Sequence, residues 1–271
     1  MIKKVDFHTH TSYSFDGTNT MEEMVKAAIK AGVSELAFTD HSEIELVSPL
    51  YQPPPKYEIY KAELDGLREK YADEINIIYG IEISLFTGKH REISDVLAKE
   101  GFEFIIGSIH DIAIGDIYSK DFCVKYSKKE VYQLYFEAML ENIKGVKNFD
   151  VLGHMDYIER YANGGKQDFN AEYSEYAEII DEIFKILIEE GKGIEINSSG
   201  FRYGLDHAHP GNQILQQYKN LGGEIITIGS DAHKTEHICD GFEETLQTLR
   251  EVGFKAFTIY KNRKPIMVDL P

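Results

Sequence analysis

The sequence has little cysteine, no tryptophan and fewer basic than acidic residues. Cys123 and Cys239 are the two cysteines among 271 residues, and they show neither CxxC spacing nor the density of a disulfide scaffold. No run approaches the roughly 18 apolar residues that a membrane-spanning helix needs. The chain begins with strand-like sequence, without the apolar region of a signal peptide. These absences exclude a disulfide-stabilised secreted domain and a membrane protein, and a cytoplasmic protein is expected.

The shortage of basic residues limits the possible partners. There are 29 Lys and Arg residues against 46 Asp and Glu residues, which gives a formal net charge of −17. Binding to a long phosphate backbone depends on clustered Lys and Arg, so long nucleic acid is not expected as a partner. The net negative charge still allows binding of a small anionic substrate where positive side chains are close together. Bound divalent cations would offset part of the negative charge.

The composition and the order of apolar segments predict an α/β protein. Hydrophobic residues make up 42% of the chain, as in ordinary globular proteins. Strands are predicted over residues 2–7, 35–39, 75–83, 102–109, 149–153, 193–197, 224–229 and 254–260, with a closing strand or extended tail from 264. Helices are predicted over residues 20–31, 57–71, 92–99, 128–145, 173–190, 211–221 and 242–252.

This alternation indicates parallel strands joined by right-handed crossovers, and about seven such units predict a closed or nearly closed barrel. We find no repeat or linker, so a single domain over residues 1–271 is expected. Active sites of such barrels gather at the carboxyl ends of the strands. The long connections 42–56 and 111–127 are therefore expected to overhang the site, with residues 164–165 and 198–211 completing its rim.

Six of the ten histidines follow strand-like apolar runs. His8 and His10 lie two residues apart at a strand end, so their imidazoles point to the same face and can hold one ion. The other potential ligands at strand ends are His41, Glu82, His110, His154, Asp231 and His233. One buried histidine alone would be ordinary, but burying this whole set without a metal would carry a heavy desolvation cost. Imidazole with carboxylate suits zinc, manganese or iron, and the sequence does not choose among them.

The order and context of these motifs resemble the PHP family of metal-dependent phosphoesterases. The segment from His8 to Asp16, Thr39-Asp40-His41, Glu82, His110, His154 and Asp231-Ala-His233 all occur in the family's order, over essentially the whole chain. Length and motif context are most similar to the histidinol-phosphate phosphatase branch. The resemblance implies a distorted (β/α)7 TIM-like barrel that holds up to three divalent metal ions.

The resemblance also implies how the ligands divide. The first metal would be held by His8, His10, Glu82 and Asp231, the second by Glu82, His110 and His154, and the third by Asp16, His41 and His233. Glu82 would bridge two ions, and Asp16 stands where some relatives have histidine. Asp40 is expected to orient a neighbouring ligand rather than to coordinate. Paired metals lower the pKa of a shared water, so hydroxide is the expected nucleophile, in agreement with the absence of a recognisable serine or cysteine nucleophile motif.

Phosphate recognition and proton transfer require further residues. Arginine binds two phosphate oxygens with its planar fork, and Arg160 and Arg202 lie on predicted rim loops, with Arg160 the stronger candidate. His207 and Tyr161 are expected to contact substrate. Asp231 and His233 are candidates for protonating the leaving group, and with Arg160 they form the expected catalytic set.

The leading hypothesis, whose substrate is implied by the resemblance, is hydrolysis of L-histidinol phosphate to L-histidinol and phosphate, a step of histidine biosynthesis. A related phosphoesterase acting on nucleotides or another small phosphate ester would use nearly the same ligands. A catalytically silent metal-binding module is the non-enzyme alternative. The complete ligand set favours an enzyme.

Overall fold

The strands of this protein form a nearly closed parallel barrel. The computed structural model describes residues 4–45, 51–112, 125–160 and 173–271. The strands are β1 (Lys4–Thr9), β2 (Val33–Phe38), β3 (His41–Ser42), β4 (Asn76–Ser84), β5 (Phe104–Ser108), β6 (Val151–Leu152), β7 (Gly193–Asn197), β8 (Ile226–Gly229), β9 (Ala256–Lys261) and β10 (Lys264–Asp269). Their order in the barrel is β1-β2-β4-β5-β6-β7-β8, and β3 pairs with β4 as a short continuation of β2. Seven parallel positions result, as predicted.

The barrel closes between β1 and the residues that follow β8. The Asp231 N–H donates to the carbonyl oxygen of His8 at 2.9 Å, and the His10 N–H donates to that of Ala232 at 2.8 Å. Asp6 reinforces this junction by accepting hydrogen bonds from the backbone N–H and hydroxyl of Ser230, at 2.9 and 2.6 Å. The closure therefore joins the two chain segments that contain His8, His10 and Asp231.

Helices surround the barrel, and one short helix, residues 199–202, lies at its mouth. They are α1 (Met21–Ala31), α2 (Tyr57–Lys70), α3 (His90–Lys99), α4 (Lys128–Gly145), α5 (Ala177–Glu189), α6 (Ser199–Arg202), α7 (Asn212–Asn220) and α8 (Phe242–Val252). Thr20 caps α1 through a reciprocal capping box with Glu23, and Ser127 caps α4 in the same way with Glu130. None of the helices in the described ranges is long and apolar enough to span a membrane.

Among the differences between predicted and observed elements, three concern the fifth strand, the helix expected from 173 and the last strands. The fifth strand is only Val151–Leu152, shorter than the expected 149–153, because Asp150 uses its carboxylate to accept from the Ile105 N–H at 2.8 Å. The helix expected from 173 begins at Ala177 after a 3₁₀ turn. Among the described residues, the final strands pair only with each other, and β9 lies at the amino-terminal end of the barrel, where Thr258 accepts from the Ile226 N–H at 3.2 Å.

Candidate metal centre

The predicted ligands meet at the carboxyl ends of the barrel strands. The parallel barrel brings the carboxyl ends of its strands to one mouth, and most of the predicted ligands lie within or shortly after these ends, as expected from the sequence. The predicted ligand set comprises His8, His10, Asp16, His41, Glu82, His110, His154, Asp231 and His233. Asp16 is about half-exposed, whereas His8, His10 and Glu82 are fully buried.

Four distances between ligand atoms of the first predicted group are close to those between the ligands of one metal ion. The His8 Nε2 lies 3.2 Å from Glu82 Oε2 and 3.7 Å from Asp231 Oδ1, and the His10 Nε2 lies 3.5 and 3.3 Å from the same two atoms. Metal–ligand bonds of about 2.0–2.1 Å would separate tetrahedral ligand atoms by about 3.3 Å. Within the described part of the chain, no hydrogen bond reaches His8 Nε2, His10 Nε2 or Glu82 Oε2. The arrangement therefore fits a divalent ion.

The other two predicted groups adjoin this one. The second oxygen of Glu82, Oε1, lies 3.2 Å from His110 Nε2 and 2.9 Å from His154 Nε2. In the third group, Asp16 lies 3.6 Å from His41 Nε2 and 3.2 Å from His233 Nε2. Glu82 thus has one oxygen in each of two groups, which is the geometry that a bridging ligand requires.

The third group also includes contacts that the sequence did not predict. The His10 ring lies 4.0 Å from the His233 ring and 4.3 Å from the His41 ring, measured between centroids. The His41 Nδ1 lies 3.0 Å from Glu82 Oε2. His10 and His41 therefore connect the third group to the first, and the nine predicted ligands form one continuous cluster.

Hydrogen bonds set the same ring orientation for four of the histidines. In each ring Nδ1 faces an acceptor, so Nδ1 holds the hydrogen and Nε2 presents its lone pair to the cluster. The four acceptors are Glu195 Oε1 for His8 (2.7 Å), Ser14 Oγ for His10 (3.0 Å), Glu43 Oε1 for His110 (2.8 Å) and the Asp231 carbonyl for His233 (3.0 Å). This is the arrangement that metal-ligating histidines need.

The sequence pattern did not identify Glu195 and Glu43 as residues of the site. Glu195 lies in Ile194-Glu195-Ile196, the same pattern as Ile81-Glu82-Ile83, and a carboxylate inside an apolar strand was the available signal. Besides His8, it accepts from the backbone N–H of His154 at 3.0 Å. Gly229 is needed beside it, since a Cβ there would overlap Glu195 and His8. Glu195 therefore fixes ligands from two strands.

Asp40 has the orienting position expected for it. Its carboxylate accepts hydrogen bonds from the Thr11 N–H at 2.6 Å and from the Ser14 hydroxyl at 2.7 Å. Because Ser14 donates to Asp40, its oxygen is left to accept from the His10 ring. Asp40 thus acts on His10 through Ser14.

The buried charges of the cluster compensate one another. Burial opposes ionisation of Glu82, but attraction to His8, His110 and His41 outweighs it and holds the pKa of Glu82 well below its usual value. Burial likewise opposes the charge on His110, yet Glu82 and Glu43 raise its pKa to about 10. Without metal, protons on the imidazoles therefore balance the carboxylates.

We expect metal uptake to release these protons. A raised histidine pKa means that the metal-free ring stays protonated up to that pKa, whereas a metal needs the neutral ring. Zinc affinity should therefore rise with pH between 6 and 9, and titration calorimetry near pH 7 in two buffers of different ionisation enthalpy should show release of more than one proton per chain. His237→Gln, outside the cluster, should release the same number. Equal heats in the two buffers would contradict the prediction.

The two arginines predicted to bind substrate have different contacts. Arg160 lies at the site: its guanidinium nitrogen Nη2 is 3.7 Å from Asp231 Oδ2 and its side chain is 6% exposed. Arg202 donates from Nη2 to the carbonyl oxygens of Ser230 and Asp231, both at 3.0 Å. Since Asp231 has a left-handed backbone with φ of 55°, Arg202 braces this strained loop, and its predicted substrate contact remains a prediction.

The other two residues predicted to contact substrate are His207 and Tyr161. His207 Nε2 lies 3.3 Å from Glu159 Oε2, so this ring is within ion-pair distance of a carboxylate. Tyr161 lies outside the described residues. The predicted overhang of residues 42–56 is described only in part, and there Tyr51 packs on Phe15, which stacks on His41.

Comparison with known proteins places this geometry in a family. A model of the PHP domain matches residues 6–199. The chain is 27% identical to the histidinol-phosphatase of Lactococcus lactis over 97% of this chain and 96% of that protein. It is 30% identical to a probable histidinol-phosphatase of Clostridium acetobutylicum, over 92% and 94% of the two chains.

A solved structure shows the same likeness in three dimensions. The histidinol phosphate phosphatase of Lactococcus lactis, in complex with zinc, L-histidinol and phosphate, superposes with a TM-score of 0.87 and 27% identity, over 98% of this chain and all of that one. The family model covers well over half of the chain, and the strand-end ligands lie in the barrel mouth where the motifs predicted them. The chain therefore belongs to the PHP domain family.

Proposed function

We propose that this chain is a metal-dependent phosphatase that hydrolyses L-histidinol phosphate to L-histidinol and phosphate. The observation that supports it most is the likeness, along almost the whole chain, to an enzyme crystallised with zinc, L-histidinol and phosphate. The cluster of imidazoles and carboxylates beside Arg160 supplies the matching chemistry here.

We assign up to three divalent ions, of zinc, manganese or iron, to the nine ligands named above. Bound ions would acidify a water molecule and neutralise charge on the phosphoryl oxygens. The chain's own residues then have distinct tasks. Glu195, Glu43 and Ser14 hold the ligand rings, and Arg160 offers its guanidinium to the phosphoryl group.

The geometry favours Asp231 over His233 as the residue that moves a proton. The Nδ1 hydrogen of His233 is bonded to the Asp231 carbonyl and its Nε2 faces Asp16, so neither nitrogen is placed to donate to a leaving oxygen. Asp231 turns Oδ1 toward His8 and His10 and Oδ2 toward Ser199 and Arg160. We therefore assign to Asp231 Oδ2 the uptake of a proton from water and its transfer to the leaving alkoxide.

The test is phosphate release by the metal-loaded protein. L-Histidinol phosphate should be hydrolysed with a kcat/KM at least about 100-fold above those for adenosine monophosphate and glycerol phosphate, since a site built for one leaving group discriminates by about 10²-fold or more. His154→Ala, prepared identically, controls for contaminating phosphatase. A protein that hydrolyses another monoester but leaves L-histidinol phosphate intact would overturn the proposal, and one that hydrolyses none would support the silent metal-binding module.

A further inference from the structure

Three side chains form a hydrogen-bonded series that ends at the cluster of predicted metal ligands. The carboxylate of Asp156 lies 2.6 Å from Nδ1 of His209, and Nε2 of His209 lies 3.0 Å from Nε of Arg160. Arg160 in turn donates through Nη2 to the Ser199 hydroxyl and approaches Asp231. Asp156 and His209 are both fully buried. Neither residue belongs to the predicted ligand set.

The direction of each hydrogen bond follows from the groups involved. Arginine Nε can only donate, so Nε2 of His209 must accept with its lone pair. The hydrogen of the neutral ring therefore lies on Nδ1, which donates to Asp156. Burial lowers the pKa of His209 to about 4, in agreement with a neutral ring. The tautomer of His209 is thus set by Asp156.

We propose that Asp156 and His209 are positioning residues that hold Arg160 for the phosphoryl group; this rests on the phosphatase function proposed above. Because the imidazole acceptor is neutral, it fixes the guanidinium without cancelling its positive charge, as a carboxylate at the same place would. The rings of Tyr157 and Tyr203, with centroids 4.6 and 4.0 Å from the guanidinium carbon, support its plane. Arg160 is thereby held in place before substrate binds.

The second oxygen of Asp156 makes the arrangement sensitive to a single atom. Oδ2 accepts from the backbone N–H of Gly211 at 2.7 Å, and a backbone N–H can only donate a hydrogen bond. In Asp156→Asn the one amide oxygen must serve Gly211, so the amide NH₂ faces His209. The ring then has to accept at Nδ1 and hold its hydrogen at Nε2, directly facing the Arg160 N–H. Two donors oppose each other, and Arg160 loses its position.

Kinetics separate this role from a merely structural one. Asp156→Asn should lower kcat/KM for L-histidinol phosphate about 10- to 100-fold, as for the loss of one hydrogen bond to a charged group. Inhibition by inorganic phosphate should weaken in parallel. His209→Phe keeps a ring but has no hydrogen-bond acceptor, so its kcat/KM should fall as much as that of Asp156→Asn. His209→Gln, whose amide oxygen can accept from Arg160, should stay within about threefold of the wild type.

A spectroscopic measurement tests the tautomer without substrate. In protein labelled with ¹⁵N-histidine, the ring nitrogens of His209, assigned by the signals that His209→Gln removes, should show hydrogen on Nδ1 in the wild type and on Nε2 in Asp156→Asn. Melting curves establish that each variant is folded. If Asp156→Asn does not fold, the difference in kcat/KM between His209→Phe and His209→Gln tests the positioning role instead.

Opposite results are easily recognised. A wild-type ring with its hydrogen on Nε2, equal losses in His209→Gln and His209→Phe, or an Asp156→Asn variant with unchanged phosphate inhibition would overturn the inference. Failure of the proposed function is distinguishable, since it would appear as a wild-type protein without phosphatase activity, whereas the tautomer measurement would be unaffected.

Discussion

Replacing Glu82 by glutamine should nearly abolish phosphate release and reduce the amount of metal that the protein binds. One oxygen of Glu82 faces His8 and His10, and the other faces His110 and His154. Glutamine keeps the shape but offers one neutral oxygen, so two groups of ligands lose their shared negative charge. If the lost stabilisation of the transition state is about 4 kcal/mol, kcat falls about a thousandfold.

The measurement combines steady-state kinetics with elemental analysis of the purified variant. Glu35→Gln is a matched control, because Glu35 is also a buried strand carboxylate but bonds to Asn76 near the other end of the barrel. The control should keep its metal and most of its activity. A Glu82→Gln variant with full metal content and wild-type kcat would refute the bridging assignment.

Most of the proposed ligands could be identified from the sequence because they lie within or just after apolar runs, whereas Asp16 was assigned only through the resemblance. Once the strands are parallel, every run that ends in His or Asp delivers that residue to the same end of the barrel. His8, His110 and His154 needed only this local pattern. Glu82 was identifiable because a carboxylate inside an apolar strand is costly unless it is paired.

The residues that orient these ligands could not be predicted in the same way. Glu195 shows the same signal as Glu82, a carboxylate inside an apolar strand, but its partner His8 lies 187 positions away, and the local sequence does not indicate which residue it contacts. His209 was not singled out within the predicted rim segment 198–211, because its importance depends on Asp156 and Arg160, which reach it from another part of the chain. The position of β9 could not be predicted either, because a strand that covers the end of a barrel can have the same pattern of apolar and polar residues as a strand within it. Such contacts depend on the closed fold rather than on local pattern.

Removing the metal should inactivate the protein and also lower its melting temperature. The cluster brings several imidazoles together, and when His233 and His41 are charged they add to burial in holding the pKa of His10 well below its usual value. In metal-free protein the Nε2 lone pair of neutral His10 has no hydrogen-bond partner among the described residues, whereas a bound ion would use it. Free zinc at about 1,000 times its Kd stabilises the folded state by about 4 kcal/mol, which corresponds to about 10 °C in a chain of this size.

Calorimetric melting curves after treatment with a chelator, and again after adding back zinc or calcium, measure this difference. Zinc should restore both the melting temperature and activity, because its preference for imidazole with carboxylate matches the cluster. Calcium should restore neither, since it needs six to eight oxygen ligands. Glu82→Gln should show a smaller zinc shift than Glu35→Gln, because the bridging carboxylate is part of what the ions bind. A fully demetallated protein that melts at the same temperature as the zinc-loaded one would show that the cluster is stable without ions, and the ligand assignment would then fail.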